Sequence, residues 1–156
     1  MEKRSRTECV LVFRRIYDAP IERLWRAWTD PTELGRWYLA GDDHVIYFAE
    51  VDLRLGGRFR VSFGQPGKTP YIETNRYTEI VRPTRLAWEG ELTVDGRQVP
   101  GGAASVVELI DLGGGRTELV LTNTGDEDLW RHREGWIPCL NSLDRLLAAA
   151  DAAASP

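Results

Sequence analysis

The chemically reactive side chains of this chain are few, and two of them share one segment. HREGWIPCLNSLDRLL, residues 132–147, contains His132 and Cys139, one of two His and one of two Cys in the sequence. A Cys nucleophile and a His base must approach within about 3 Å of each other. A separation of seven helical positions places these two side chains about 10 Å apart. The spacing therefore argues against a Cys–His dyad, and Cys139 is predicted to be a small buried apolar residue.

Two side chains remain as acid–base candidates, His132 and then Glu73. His132 lies near the start of the predicted helix, where a structural hydrogen bond and a proton-transfer role both suit a histidine. Glu73 lies in a predicted strand. If it faces a dry cavity rather than solvent, its pKa rises and the carboxyl group can act as an acid or a base. The sequence leaves both roles open.

Several other kinds of site are disfavoured. GQPGKTP is not a phosphate-binding loop, because the first Gly of that motif would fall at Ser62 and Pro70 stands where a helix must begin. Two His and two Cys, scattered along the chain, match no zinc spacing. A formal net charge of −4 disfavours general nucleic-acid binding. We expect no metal, no cofactor and no nucleic-acid partner.

The aromatic residues instead suggest an apolar pocket. Six Trp are more bulk than the core of a domain of this size requires, so some of them should line a cavity. On a helical wheel, His132, Trp136 and Cys139 share one face with several leucines. The residues predicted to bind a ligand are Trp37, Tyr38, Phe48, Trp88, His132, Trp136, Cys139 and Leu140.

Gly135 and Pro138 interrupt the same helix. Pro138 cannot donate a hydrogen bond to the carbonyl of residue 134, and its ring crowds that turn. Gly135 leaves room for the resulting distortion. The pair predicts a kink around residues 134–138, which would bend the helix around one end of the pocket.

Two short helices are predicted after a first strand at residues 7–17. Apolar residues recur at helical spacing from Ile21 to Trp28 and form one stripe. The second helix begins at Asp30, which can cap it. Glu33 is placed to return a hydrogen bond to the N–H of that cap.

The middle of the chain alternates strands with short turns that contain Gly or Pro, which favours an antiparallel meander. Residues 126–150 form the one long helix. A sheet of seven strands must bury one face against it, and a curved sheet would leave a cavity between the two. The six strands of the meander are predicted at residues 44–55, 57–64, 71–81, 85–94, 104–112 and 117–125.

Length and composition indicate one globular domain over residues 1–156, with its core at about 7–148. Hydrophobic residues make up 42% and charged residues 28% of the chain. Two cysteines do not form a secreted disulfide framework. The start MEKRSRTECVLVF lacks the apolar run of a signal peptide, and no segment has membrane-spanning length. We expect a cytoplasmic protein, and the preference for Arg over Lys is typical of a bacterial genome rich in G and C.

Five motifs together resemble a known family over residues 7–148. They are APIERLWRAWTDPTELGRWY, VDLRLGGRFRV, YTEIVRPTRLAWEGEL, GGRTELVLTNTG and REGWIPCLNSLDRLL. The chain resembles the activator of Hsp90 ATPase homologue (AHSA-type) family, within the SRPBCC or START-like (Bet v-like) superfamily. The resemblance implies the α+β helix-grip fold, a curved seven-stranded antiparallel sheet around a long C-terminal helix. It also implies a cavity, used across the superfamily for lipids, hormones and polyketides and in some members for catalysis.

Three functions are consistent with these observations. The first is binding of a small hydrophobic molecule, lipid or polyketide-like, between the sheet and the long helix. The second is an enzyme that uses the same cavity, a cyclase, dehydratase or hydrolase, with His132 or Glu73 as its acid–base group. The third is an interaction module that stimulates a chaperone ATPase. A shared fold does not choose among them.

Overall fold

The computed structural model describes residues 9–38, 44–99, 103–125 and 130–154, without the side chains of residues 99, 130–135 and 150–154. One antiparallel sheet runs in the order β1-β8-β7-β5-β4-β3-β2, and β6 pairs with β5. The predicted α+β helix-grip class is confirmed. The elements are β1 (Cys9–Tyr17), α1 (Ile21–Thr29), α2 (Pro31–Trp37), β2 (Val45–Val51), β3 (Arg58–Gly64), β4 (Tyr71–Val81), β5 (Arg85–Val94), β6 (Arg97–Val99), β7 (Ala104–Gly113), β8 (Arg116–Gly125) and α3 (Trp130–Ala154).

One face of the sheet, called the inner face below, carries the core. Alternate residues of a strand point to the same face, and residues paired across strands share it. Trp88 is paired with Tyr77 on one side and with Ser105 on the other, and Val107 is paired with Leu121. All five side chains are buried. α1 packs on β7 and β8, α2 packs on β2, and α3 packs on β1 and α2.

Asp30 caps α2 as predicted, because its side chain accepts hydrogen bonds from the backbone N–H groups of Thr32 (2.8 Å) and Glu33 (3.2 Å). The returning bond from Glu33 is absent among the described contacts. The N–H of Asp30 instead donates to the carbonyl of Arg26 at the end of α1. The Glu33 carboxylate, released from that role, pairs with Arg23 at 2.9 Å.

α3 presents the apolar face that the helical wheel predicts. It begins at Trp130 in the described part of the chain, whereas the sequence predicted residue 126, and residues 126–129 lie outside that part. The helix is continuous through Pro138, which lies on the exposed side. Two side chains of β1 attach α3 to the sheet. The Tyr17 hydroxyl donates a hydrogen bond to the Leu140 carbonyl, and Arg15 donates one to the Asn141 side chain. Its buried side chains are Trp136, Cys139, Leu140, Leu143 and Leu147.

β6 was not predicted as a strand. Asp95 and Gly96 both adopt positive φ, 52° and 75°. Two such residues form the tight hairpin turn for which Asp-Gly is a typical sequence. Arg97 therefore returns beside Val94, and the eighth strand is a short extension of this hairpin.

Candidate functional site

Six of the eight residues predicted to line a pocket lie together between the inner face and the helices. The Tyr38 ring centroid is 5.5 Å from that of Trp37 and 5.9 Å from that of Trp136. The Cys139 sulfur lies 3.9 Å from the backbone oxygen of Trp37. Trp28 of α1, 5.7 Å from Trp88, joins the group to the sheet. The six, all at most 8% exposed, are Trp37, Tyr38, Trp88, Trp136, Cys139 and Leu140.

Phe48 does not belong to this group. A bulge between Ile46 and Phe48 reverses the alternation of β2, so Ile46 and Ala49 pack against the core and Phe48 lies on the outer face of the sheet. There the guanidinium of Arg60 lies 5.6 Å from the centre of its ring. Sequence alternation alone could not reveal the bulge.

His132, the first acid–base candidate, is the third residue of α3, but its side chain lies outside the described part of the chain. The 10 Å separation from Cys139 therefore stays a prediction. Cys139 itself is 1% exposed, in agreement with a buried apolar role.

Glu73, the second acid–base candidate, is the third residue of β4 and points to the inner face. The Tyr38 hydroxyl donates a hydrogen bond to Glu73 Oε1 at 2.5 Å, and Asn75 Nδ2 donates to the same oxygen at 2.7 Å. Burial raises the pKa of the Glu73 carboxyl above its usual value of 4.5, and these two hydrogen bonds hold the rise back. Burial and then the neighbouring Glu73 carboxyl raise the pKa of Tyr38 well above 10.0.

Gly90 sets the position of Asn75. The two residues are paired across β4 and β5, and a Cβ atom on Gly90 would lie 1.8 Å from Asn75 Oδ1. Any other residue at position 90 would displace the Asn75 side chain and with it one donor to Glu73. The sequence analysis did not single out Gly90, although an isolated Gly within a strand is a signal of close approach.

A second buried polar pair lies further along the same face. Asn123 Nδ2 donates to Ser105 Oγ at 2.6 Å, and both residues are at most 3% exposed. Asn123 Oδ1 is buried and has no partner among the described residues. Together, Glu73, Asn75, Ser105 and Asn123 are called the polar row below. Apart from Glu73, its members were not among the predicted site residues.

Two grooves on the surface of the described chain are lined by residues other than Glu73 and the aromatic group. One groove of about 520 Å³ lies beside the β2–β3 turn, and another of about 430 Å³ lies beside α1 and α2. Within the described ranges, no cluster of three His, Cys, Asp or Glu side chains is placed to hold a metal ion. None of the helices in those ranges combines the length and apolar character needed to cross a membrane.

Comparison with known proteins gives a family and a fold. Residues 18–148 match the sequence model of the family described as activator of Hsp90 ATPase homolog 1-like protein. Comparison with curated proteins gives no match.

Solved structures from several bacteria share the fold. A protein from Nitrosomonas europaea is 26% identical, with a TM-score of 0.77 over 90% of this chain and 95% of that one. An AHSA1-like protein from Aeromonas hydrophila is also 26% identical, with a TM-score of 0.72 over 90% and 94% of the two chains. A protein from Rhizobium leguminosarum, 23% identical, has a TM-score of 0.80 over 93% and 97% and supports the fold alone.

Proposed function

The chain belongs to the family of activator of Hsp90 ATPase homolog 1-like proteins, and from this premise we propose that it binds a small, mostly apolar molecule between the inner face and α3. The molecule would be lipid or polyketide-like. The observation that carries the proposal is the polar row, four polar side chains among the buried apolar and aromatic residues of the inner face. Thr117 is also buried on that face, but its hydroxyl donates to the Ala19 carbonyl.

Polar side chains of this kind do not stabilise a face that only forms a hydrophobic core. Burying a polar group without a partner costs about 1–3 kcal/mol on mutational scales, so cores seldom contain one. Here Asn123 Oδ1 has no partner among the described residues, and Gly90 keeps space for Asn75. A bound molecule with an apolar body and a polar end would complete the contacts at one place along the row.

Tryptophan fluorescence tests the proposal. Trp136 lies 5.9 Å from Tyr38, whose hydroxyl contacts Glu73, so a ligand beside Glu73 should change the emission of Trp136 saturably. Trp136→Leu should remove part of that change while the fold survives. Exposed Tyr47→Phe is the matched control. If aromatic and polyketide-like compounds give no saturable change and native mass spectrometry finds no co-purified molecule, the proposal is wrong.

A second candidate function is acid–base catalysis at the same place, acting on a polyketide-like substrate as a cyclase, dehydratase or hydrolase. The specific observation in its favour is the part-buried contact of Glu73 with the Tyr38 hydroxyl, where burial raises the pKa of the Glu73 carboxyl. In that case Glu73→Gln should lower turnover about 10²- to 10⁴-fold with little change in binding, because an amide does not transfer protons near neutral pH. His132→Gln is the parallel test of the other candidate residue.

A third candidate is a chaperone interaction, which the family description suggests. Val10, Val12 and Ile16 of the edge strand β1 are each more than half exposed on an outer face that also carries Arg14. Stimulation of an Hsp90 ATPase by this chain, abolished by Val12→Lys, would support this function. Unchanged ATPase rates over a full titration would exclude it.

A further inference from the structure

We propose that Glu73 is the recognition residue of this site, and that the polar end of the ligand is a hydrogen-bond donor, a hydroxyl or an amine. The inference rests on the proposed binding function and deepens it. It is supported by the acceptor atoms of the polar row that have no donor, and not by the fold.

The two oxygens of Glu73 are in different situations. Oε1 accepts two short hydrogen bonds, from Tyr38 and Asn75. Oε2 accepts none among the described contacts and, unlike Asn123 Oδ1, it is not fully buried. Two donors on one oxygen favour the ionised form of a carboxyl group and fix its plane. The remaining oxygen is therefore a preoriented acceptor without a donor.

The neighbouring polar atoms have the same character. Asn75 Nδ2 is used by Glu73, which leaves Oδ1 over Gly90 as the outward group of that amide. Asn123 Nδ2 is used by Ser105, which leaves Oδ1 of Asn123 without a partner in the described chain. The Ser105 hydroxyl, which accepts from Asn123, keeps its own O–H as a donor. The amides of Asn75 and Asn123 donate to Glu73 and Ser105, so the atoms of the row left without a donor are the two amide oxygens and Glu73 Oε2. A ligand that completes them must donate.

A carboxylate ligand does not fit this arrangement. It would bring a second negative charge to Glu73, and it has no N–H or O–H to offer to the free oxygens. The part-buried basic side chains lie elsewhere, and each has at least one partner; they are Arg15, Arg23, Arg60 and Arg85. Arg15 binds Asn141 and Arg23 binds Glu33. Among the described contacts, no Lys or Arg reaches the polar row.

The row is also long, which limits what one polar group can reach. β4 and β8 are three strand spacings apart, about 14 Å, so a single donor that contacts Glu73 does not contact Asn123. Three further buried polar atoms lack partners among the described residues, Tyr77 Oη, Trp28 Nε1 and Arg23 Nε. Tyr77 and Trp28 belong to the aromatic group, where Trp28 lies 4.6 Å from Trp37, and none of the three atoms is part of the row. Glu73 is the one ionisable side chain in the row, so it is the group that can favour a ligand with a hydrogen-bond donor.

Four probes with one naphthalene body decide the matter. They are 2-naphthylmethylamine, 2-naphthylmethanol, 2-acetylnaphthalene and 2-naphthoate, titrated calorimetrically into the unmodified chain at neutral pH. The amine and the alcohol, which donate, should bind at least about tenfold more tightly than the ketone and the carboxylate, which only accept. Glu73→Gln should remove most of the preference for the amine. Glu91→Gln, the same change on the exposed side of the adjacent strand, should leave all four affinities unchanged.

The possible results separate this inference from the binding function beneath it. Equal affinities, or tighter binding of the ketone or the carboxylate, overturn the role of Glu73 and leave the binding function standing. A preference that survives in Glu73→Gln also overturns it. If none of the four probes binds, the binding function and this inference both fail. The series on the unmodified chain is decisive even if the Glu73 variant does not fold.

Discussion

Asn75 Oδ1 lies 1.8 Å from the point that a Cβ atom on Gly90 would occupy. The two residues face each other across β4 and β5, so Asn75 fills the place that a side chain at position 90 would otherwise take. Its amide can then lean over β5 while Nδ2 still reaches Glu73 at 2.7 Å. Because Gly90 has no side chain, Asn75 can take this position and donate to the Glu73 carboxyl group.

Gly90→Ala should therefore lower the free energy of unfolding by about 1–3 kcal/mol, because the displaced Asn75 loses a buried hydrogen bond. Urea denaturation measures this. Gly35→Ala is the control, since its Cβ would meet Ala49 at an ordinary 3.5 Å. It should be neutral or stabilising by about 0.5–1 kcal/mol, as Gly is unfavourable within a helix. In an Asn75→Ala background the cost of Gly90→Ala should largely disappear. A full cost there would contradict the steric account.

The Glu73 carboxyl should make stability depend on pH. Because its pKa in the folded chain is raised above 4.5, the folded state holds this proton more tightly than the unfolded state does. The resulting stabilisation is complete below about pH 4.5 and is lost as the pH rises through the folded-state pKa. The parent should therefore lose stability relative to Glu73→Gln from pH 4.5 upward.

Denaturation curves at several pH values compare the two proteins, with Glu91→Gln as the matched control. Glu91 is exposed, so its variant should follow the parent. If the difference between the parent and Glu73→Gln stays constant with pH, Glu73 does not titrate differently in the folded and unfolded states.

Tyr38→Phe should separate the hydroxyl from the ring. The ring contacts with Trp37 and Trp136 remain, while the hydrogen bond to Glu73 is lost. Since that bond lowers the pKa of Glu73, its loss should raise the pKa further. Removing a hydrogen bond to a charged group should cost about 1.5–3 kcal/mol of stability.

The pKa can be followed by the NMR shift of the Glu73 side-chain carbonyl carbon. Tyr71→Phe, on the same strand as Glu73 and 38% exposed, controls for loss of a tyrosine hydroxyl and should leave that shift curve in place. An unchanged Glu73 titration in Tyr38→Phe would show that the 2.5 Å contact has no electrostatic effect.

Much of the fold follows from local patterns in the sequence. β4 and β5 have the predicted bounds, and α3 buries the predicted face, because alternation and helical spacing record which side of each element meets the core. β6 was not predicted because its three residues are too few to show the alternation of a strand. The Asp95-Gly96 turn that forms it nevertheless has a recognisable sequence.

The candidate site was predictable only in part. Trp37, Tyr38, Trp88 and Trp136 were expected together, since bulk and hydrophobicity can be read from residue types, and their role in ligand binding stays a prediction. Asn75, Ser105 and Asn123 were missed because a polar residue in a strand is more often exposed than buried. Only the register, which pairs Ser105 with both Trp88 and Asn123, places them on the inner face. Phe48 was misplaced by a bulge that depends on the partner strand.

Pro138→Ala should stabilise the protein. Pro138 lies on the exposed side of a continuous α3, so replacing its ring with a methyl group leaves no cavity in the core. Alanine restores an N–H that can donate to the carbonyl of residue 134 and removes the ring that crowds this turn. The free energy of unfolding should rise by about 1–3 kcal/mol, the difference in helix propensity between the two residues.

Asp144→Ala, another exposed position of α3, is the control and should change stability by less than about 0.5 kcal/mol. Lower stability in Pro138→Ala would mean that the helix needs its proline to keep Trp136 against Tyr38. A ligand affinity that falls while stability rises would mean that the bend expected at residues 134–138 shapes the site.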